Sequence, residues 1–91
     1  MSLTLEAIAE RVIWWKPPAD ALADRRYFLA RVMTAGTFDE VRLVRAHFPP
    51  DAFRAVLDDP PPGVFDPRSW AYWNLVLGRR PGELPPRRLP A

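Results

Sequence analysis

Apolar residues recur at helical intervals along most of this chain. From Leu5 to Trp15 the positions Leu5, Ile8, Ala9, Val12, Ile13 and Trp15 share one helix face while Glu6, Glu10 and Arg11 lie opposite, which predicts an amphipathic first helix. Pro17 ends it, because the residue before a proline is pushed out of the α region. Residues 17–24 read as a connection. Asp24 is a good N-cap for a second helix from Arg25 to Ala35 with Phe28, Leu29, Val32 and Met33 inward, stopped by Gly36 in the left-handed conformation. The stretch Thr37-Phe38-Asp39-Glu40 has the S/T-x-x-E form of a capping box and starts a third helix to Phe48, with Phe38, Val41, Val44 and Phe48 inward and Arg42 and Arg45 outward. A fourth helix fits Pro50 to Asp58 around Phe53, Val56 and Leu57, and Pro60-Pro61-Pro62-Gly63 stops it. The last has Asp66 as N-cap, Pro67 as first helical residue, a stripe of Trp70, Trp73, Asn74 and Leu77, and Gly78 as its stop. Beyond Gly78 the chain is Pro, Gly and Arg with two Leu, the composition of an extended or disordered tail.

No strand-like alternation of useful length and no internal repeat interrupt this pattern. The expected fold is therefore all-α: one compact domain of about five short helices over residues 1–78 and a Pro/Arg-rich tail over 79–91. Its core is expected at Ile8, Val12, Phe28, Val32, Phe38, Val41, Val44, Phe53, Leu57, Trp73 and Leu77.

Composition narrows the class. Leu, Ile, Val and Phe make up 24 of the 91 residues, enough for a folded core. Without cysteine there is neither a disulfide framework nor a thiolate metal site, so apolar burial must hold this small chain together. No apolar run has the length of a membrane span, and the first residues carry neither the basic nor the apolar region of a signal peptide, so the expected location is cytoplasmic. Residues 1–78 hold nine basic and ten acidic side chains, whereas residues 79–91 hold Arg79, Arg80, Arg87 and Arg88 against Glu83. The basic character is in the tail, and the body lacks the cationic excess of a nucleic-acid-binding face.

Candidate chemistry is sparse. His47 is the only histidine, near a helix C-terminus where the dipole favours it, and neither serine lies in a nucleophile motif. The four glycines are isolated, so no phosphate-cradling loop can be built, and the Asp39-Glu40 and Asp58-Asp59 pairs fall where caps and solvated helix ends place acids. These patterns predict no catalytic residue, no cofactor and no metal. The short turn at Gly36, with Arg42 and Arg45 on the following helix, has the form of a helix-turn-helix corner, but Asp39 and Glu40 would face the phosphates there.

The aromatic residues point elsewhere. Trp14 and Trp15 are about 100° apart on a helix, and Trp70, Tyr72 and Trp73 spread around the last helix with Arg68 beside them. One small core covers all of these rings with difficulty, and Trp and Arg are preferred contact residues of protein interfaces. The candidate partner-binding set is Trp14, Trp15, Arg68, Trp70, Trp73, Arg79, Arg80, Arg87 and Arg88.

Two blocks, Phe28-Leu29-Ala30-Arg31-Val32-Met33-Thr34-Ala35-Gly36-Thr37-Phe38-Asp39-Glu40-Val41 and Phe65-Asp66-Pro67-Arg68-Ser69-Trp70-Ala71-Tyr72-Trp73-Asn74-Leu75-Val76-Leu77-Gly78, preceded by Trp14-Trp15, carry a further signal. Together they resemble a family of small bacterial helical proteins encoded beside nucleotidyltransferase-like toxins of the abortive-infection (AbiEii/AbiGii) type. The shared pattern is V-M-x-x-G-T-x-x-x-[VI] on one helix and S-x-x-x-[WF]-x-L-x-L-G on the closing helix, and it covers most of residues 12–78. Ala35 and Pro49-Pro50 depart from it. The resemblance implies an antitoxin-like or accessory protein that binds a nucleotidyltransferase-type toxin, with self-association left open. The second expectation is a small DNA-binding regulator using the Gly36 corner and the arginine tail.

Overall fold

The computed structural model describes residues 3–79, and the expectations placed on residues 80–91 lie outside it. The described residues form six helices and no strand: α1 (Leu5–Val12), α2 (Pro18–Ala23), α3 (Arg25–Ala35), α4 (Phe38–His47), α5 (Pro50–Asp58) and α6 (Pro67–Val76). The fold is all-α. It is a slab of 39 × 34 × 19 Å, about two helix diameters thick.

Local chemistry sets most boundaries. Thr4 caps α1 by accepting from the Ala7 N–H, and Asp24 caps α3 by accepting from that of Tyr27. Thr37 and Glu40 form the full capping box of α4: the Glu40 N–H donates to the Thr37 hydroxyl and the Thr37 N–H to the Glu40 carboxylate. Pro50 and Pro67 open α5 and α6, where a missing N–H costs nothing. At the end of α6 the N–H of Arg79 donates to the Asn74 carbonyl and that of Gly78 to Leu75, a Schellman closure that needs the positive φ of Gly78.

Helix α3 packs against each of the other five. Its Phe28, Leu29, Ala30, Val32 and Met33 are all buried, as a central helix requires. Around them Ile8, Val12, Val44, Phe53, Leu57, Trp73 and Leu77 close the core, in agreement with the apolar pattern.

Four expectations need correction. The first helix stops at Val12 rather than Trp15; Arg31 Nε donates to the Val12 carbonyl at 3.0 Å and so satisfies a terminal acceptor. Residues 18–23 are helical, not a connection, although only Ala21 among them is fully buried. Phe38 is 78% exposed, and Val41 only half-buried, because the capping box turns Glu40 and Val44 inward and leaves Phe38 on the opposite side of α4. Gly36 is extended, at φ −73° and ψ 146°, not left-handed. A glycine is needed there for space: an added Cβ would lie 2.5 Å from the Val32 carbonyl oxygen.

Glu40 links α4 to α1. Glu40 is 4% exposed, and its carboxylate accepts from Arg11 Nε at 2.6 Å and from Nη2, while Nη2 also donates to the Ala35 carbonyl at 2.7 Å. These bonds from Arg11 hold the Glu40 carboxyl below its ordinary value near 4.5. Its contribution to stability is therefore complete above that value and is lost as pH falls through the folded-state value. Denaturant midpoints of the wild type are expected to drop between about pH 6 and about pH 3 more steeply than those of Glu40→Gln, and equal slopes would contradict this account. Gly36→Ala is expected to cost about 1 to 3 kcal/mol in the same melts, since the added methyl has to push back the α3 backbone.

Candidate protein-docking groove between α4 and α6

Helix α6 is apolar on two sides. Its inner side carries Trp70, Trp73, Asn74 and Leu77, all buried. The buried Asn74 amide donates to the Trp70 carbonyl at 2.7 Å, so its polar group is satisfied within the helix. Its outer side carries Tyr72, Leu75 and Val76, of which Leu75 is 71% exposed. No described helix covers this stripe.

Where α6 passes α4 the surface opens into a cavity of about 300 Å³. Phe38 and Val41 line it from α4, Arg68, Ser69 and Tyr72 from α6, and Met33, Gly36 and Trp73 close its base. The Trp73 indole N–H donates to the Met33 carbonyl at 2.7 Å, and its ring stacks parallel to Phe53 with centroids 5.9 Å apart. The base of the groove is thus fixed by a buried hydrogen bond and a buried stack. The Arg45 guanidinium lies 6.0 Å from the Trp73 ring centroid.

At the N-cap of α6, Asp66 accepts from the backbone N–H of Ser69 at 2.7 Å and from its hydroxyl at 3.0 Å. These bonds, the backbone N–H foremost, hold the Asp66 carboxyl below its usual range, so it caps α6 as an anion. Ser69 is committed to that cap. His47 Nδ1 donates to the Leu43 carbonyl at 3.1 Å, and no group of three His, Cys, Asp or Glu comes together among the described residues.

A second aromatic surface follows α1. Trp14 is 76% exposed and meets Trp15 edge-on at 5.5 Å, and Trp15 in turn meets Tyr27 at 6.3 Å. Arg31 stands 5.3 Å over Trp15, and Lys16 lies 5.8 Å from the Tyr27 ring. Neither α1 nor α2 contributes to the α4–α6 groove.

The sequence-nominated contact residues therefore separate. Arg68 and Trp73 meet in the groove. Trp14 and Trp15 form the other surface. Trp70 is buried rather than offered as a contact, packing edge-on against Phe65 at 5.6 Å, and Trp73, expected both in the core and as a contact, is a core residue that offers only the base of the groove. Arg79 is tied to its own fold, pairing with Asp58 at 2.6 Å and donating to the Arg54 carbonyl. Arg80, Arg87 and Arg88 lie outside the described residues. Sequence reasoning missed Phe38, Leu75 and Val76. The signal for two of them was present: Tyr72, Leu75 and Val76 stand at i, i+3 and i+4, a second stripe beside the inner one.

No protein-family model, no curated protein and no solved structure matches this chain. Trp73→Phe removes the indole donor and leaves the buried Met33 carbonyl without it, which is expected to cost about 1 to 3 kcal/mol. Trp14→Ala, at an exposed ring, is expected to change stability by no more than about 0.5 kcal/mol, and thermal melts of the two variants check the contrast.

Proposed function

We propose that this protein is a non-catalytic, antitoxin-like or accessory subunit that binds a nucleotidyltransferase-type protein partner in the cytoplasm. The observation that supports it is the uncovered outer side of α6, with Tyr72, Leu75 and Val76 facing solvent beside the exposed ring of Phe38. An apolar stripe at helical spacing, continuous with a cavity, has the form of a contact surface. Each large side chain buried there on association contributes about 1.5 to 3 kcal/mol. The identity of the partner rests on the sequence resemblance. Among the described residues no helix is long and apolar enough to cross a membrane, so the surface is not the flank of a spanning helix.

The DNA-binding alternative draws less support from the corner at Gly36. In the first turn of α4 Asp39 is exposed and Glu40 is committed to Arg11, so that turn presents acid to an approaching phosphate.

Co-expression of the full chain with a nucleotidyltransferase-type toxin of the class that the resemblance implies is expected to give a complex that co-elutes in size exclusion and relieves growth inhibition. Leu75→Asp, at a site where the folded core is untouched, is expected to weaken that complex by at least about tenfold. Absence of both complex and relief, with this chain folded, would overturn the proposal. A chain ending at Arg79 measures the contribution of Arg80, Arg87 and Arg88.

A further inference from the structure

The groove between α4 and α6 has a sign as well as a shape. We propose that it receives an acidic amphipathic helix of the partner protein, with apolar side chains against Phe38 and Val41 and along Tyr72 and Leu75, and carboxylates on Arg45 and Arg68. This rests on the protein-docking reading above and adds the chemistry of the docked segment.

The shape selects a helix. From the cavity, which Tyr72 lines, the outer stripe of α6 runs on through Leu75 and Val76, so the apolar line extends for about one further turn of the helix, roughly 6 Å. Both walls are helices whose backbone groups are bonded internally, so the groove offers no row of free N–H and C=O groups to an extended peptide. An arriving segment has to satisfy its own backbone, and a helix laid ridge into groove does so.

The sign selects acid. Arg11, Arg26, Arg54 and Arg79 are each paired with a carboxylate, those of Glu40, Asp59, Asp51 and Asp58. Lys16, Arg25, Arg31, Arg42, Arg45 and Arg68 have no such pair among the described residues, and of these Arg68 lines the groove and Arg45 stands over the Trp73 ring at its base. The groove lining contains no acidic residue. Asp66 keeps its charge but lies outside the lining, where it caps the first turn of α6, and Asp39 lines a different hollow on the far side of α4, with Leu3, Arg42 and Leu43. Two unneutralised guanidinium groups beside an apolar base complement a segment whose apolar anchors are flanked by Asp or Glu.

The same sign disfavours what this chain could itself supply. Residues 80–91 carry Arg80, Arg87 and Arg88 against the single Glu83. A second copy placed across a two-fold would bring the same arginine-rimmed face onto itself. The acidic helix α1, with Glu6 and Glu10 outside, has already buried its apolar side at Ile8, Ala9 and Val12.

The test uses the full chain and two labelled helical peptides of about eighteen residues, sharing one leucine pattern and carrying either glutamate or lysine at the polar positions. Fluorescence anisotropy is expected to show the glutamate peptide binding at least about tenfold tighter, with affinity falling as salt is added. Amide spectra are expected to shift at the Trp73 indole N–H, Tyr72 and Leu75. The double substitution Arg45→Glu and Arg68→Glu should reverse the preference between peptides, with an unchanged far-UV spectrum showing that the fold is kept. Equal affinity for the two peptides, or shifts confined to Trp14 and Trp15, would overturn the inference. So would a homodimer in sedimentation equilibrium that buries the same face. Failure here is separable from failure of the proposed function: a toxin complex insensitive to Arg45→Glu and Arg68→Glu removes the groove assignment alone. Selective binding of the glutamate peptide without a toxin complex removes the partner's identity alone.

Discussion

The indole of Trp73 is where four helices meet. It belongs to α6, donates across forty residues of sequence to the Met33 carbonyl of α3, lies parallel to Phe53 of α5 and carries Arg45 of α4 over its face. A buried tryptophan whose N–H found no acceptor would cost the fold as much as its ring contributes, so the Met33 carbonyl decides where α6 can sit. Once α6 is fixed from within, its outer stripe has no partner among the described residues. The uncovered surface is thus a consequence of how the core closes.

The same logic governs the end of α3. The last turn of a helix leaves carbonyls without intrahelical donors. Three of them are met here: Val32 by the Gly36 N–H, Met33 by the Trp73 indole and Ala35 by the Arg11 guanidinium. Two of the three donors come from distant parts of the chain. Arg11 carries the connection onward to Glu40, and through Glu40 to Thr37, so α1, the α3 terminus and the start of α4 share one hydrogen-bonded node. Gly36 sits inside that node in extended backbone, and its lack of a side chain lets the chain leave α3 against the Val32 carbonyl.

What the sequence makes legible is mostly local. Asp24, Thr37 with Glu40, Asp66 before Pro67, and Gly78 each act within a few residues of themselves, and each stands in the structure as the helix cap or stop that its chemistry dictates. The six residues of α2 escaped because they are too few to display a period and bury little beyond Ala21. Phe38 was misplaced because a large apolar residue at the first position of an amphipathic helix reads as core, whereas the rotation of α4 is set by Glu40, a charged residue drawn inward by Arg11 twenty-nine positions away. Of the site, the sequence indicated an aromatic and arginine-rich last helix but not which of its sides was free. That choice depends on the bond to Met33, which no local pattern encodes.

The proposed contact surface is the outer side of α6 together with the start of α4. Hydrogen–deuterium exchange of the full chain, free and in complex with the co-expressed toxin-like partner, tests it most directly. The account predicts added protection along α6 and the first turns of α4, with α1 and α2 exchanging as in the free protein. Protection gained around Trp14 and Trp15, with α6 unchanged, would contradict it.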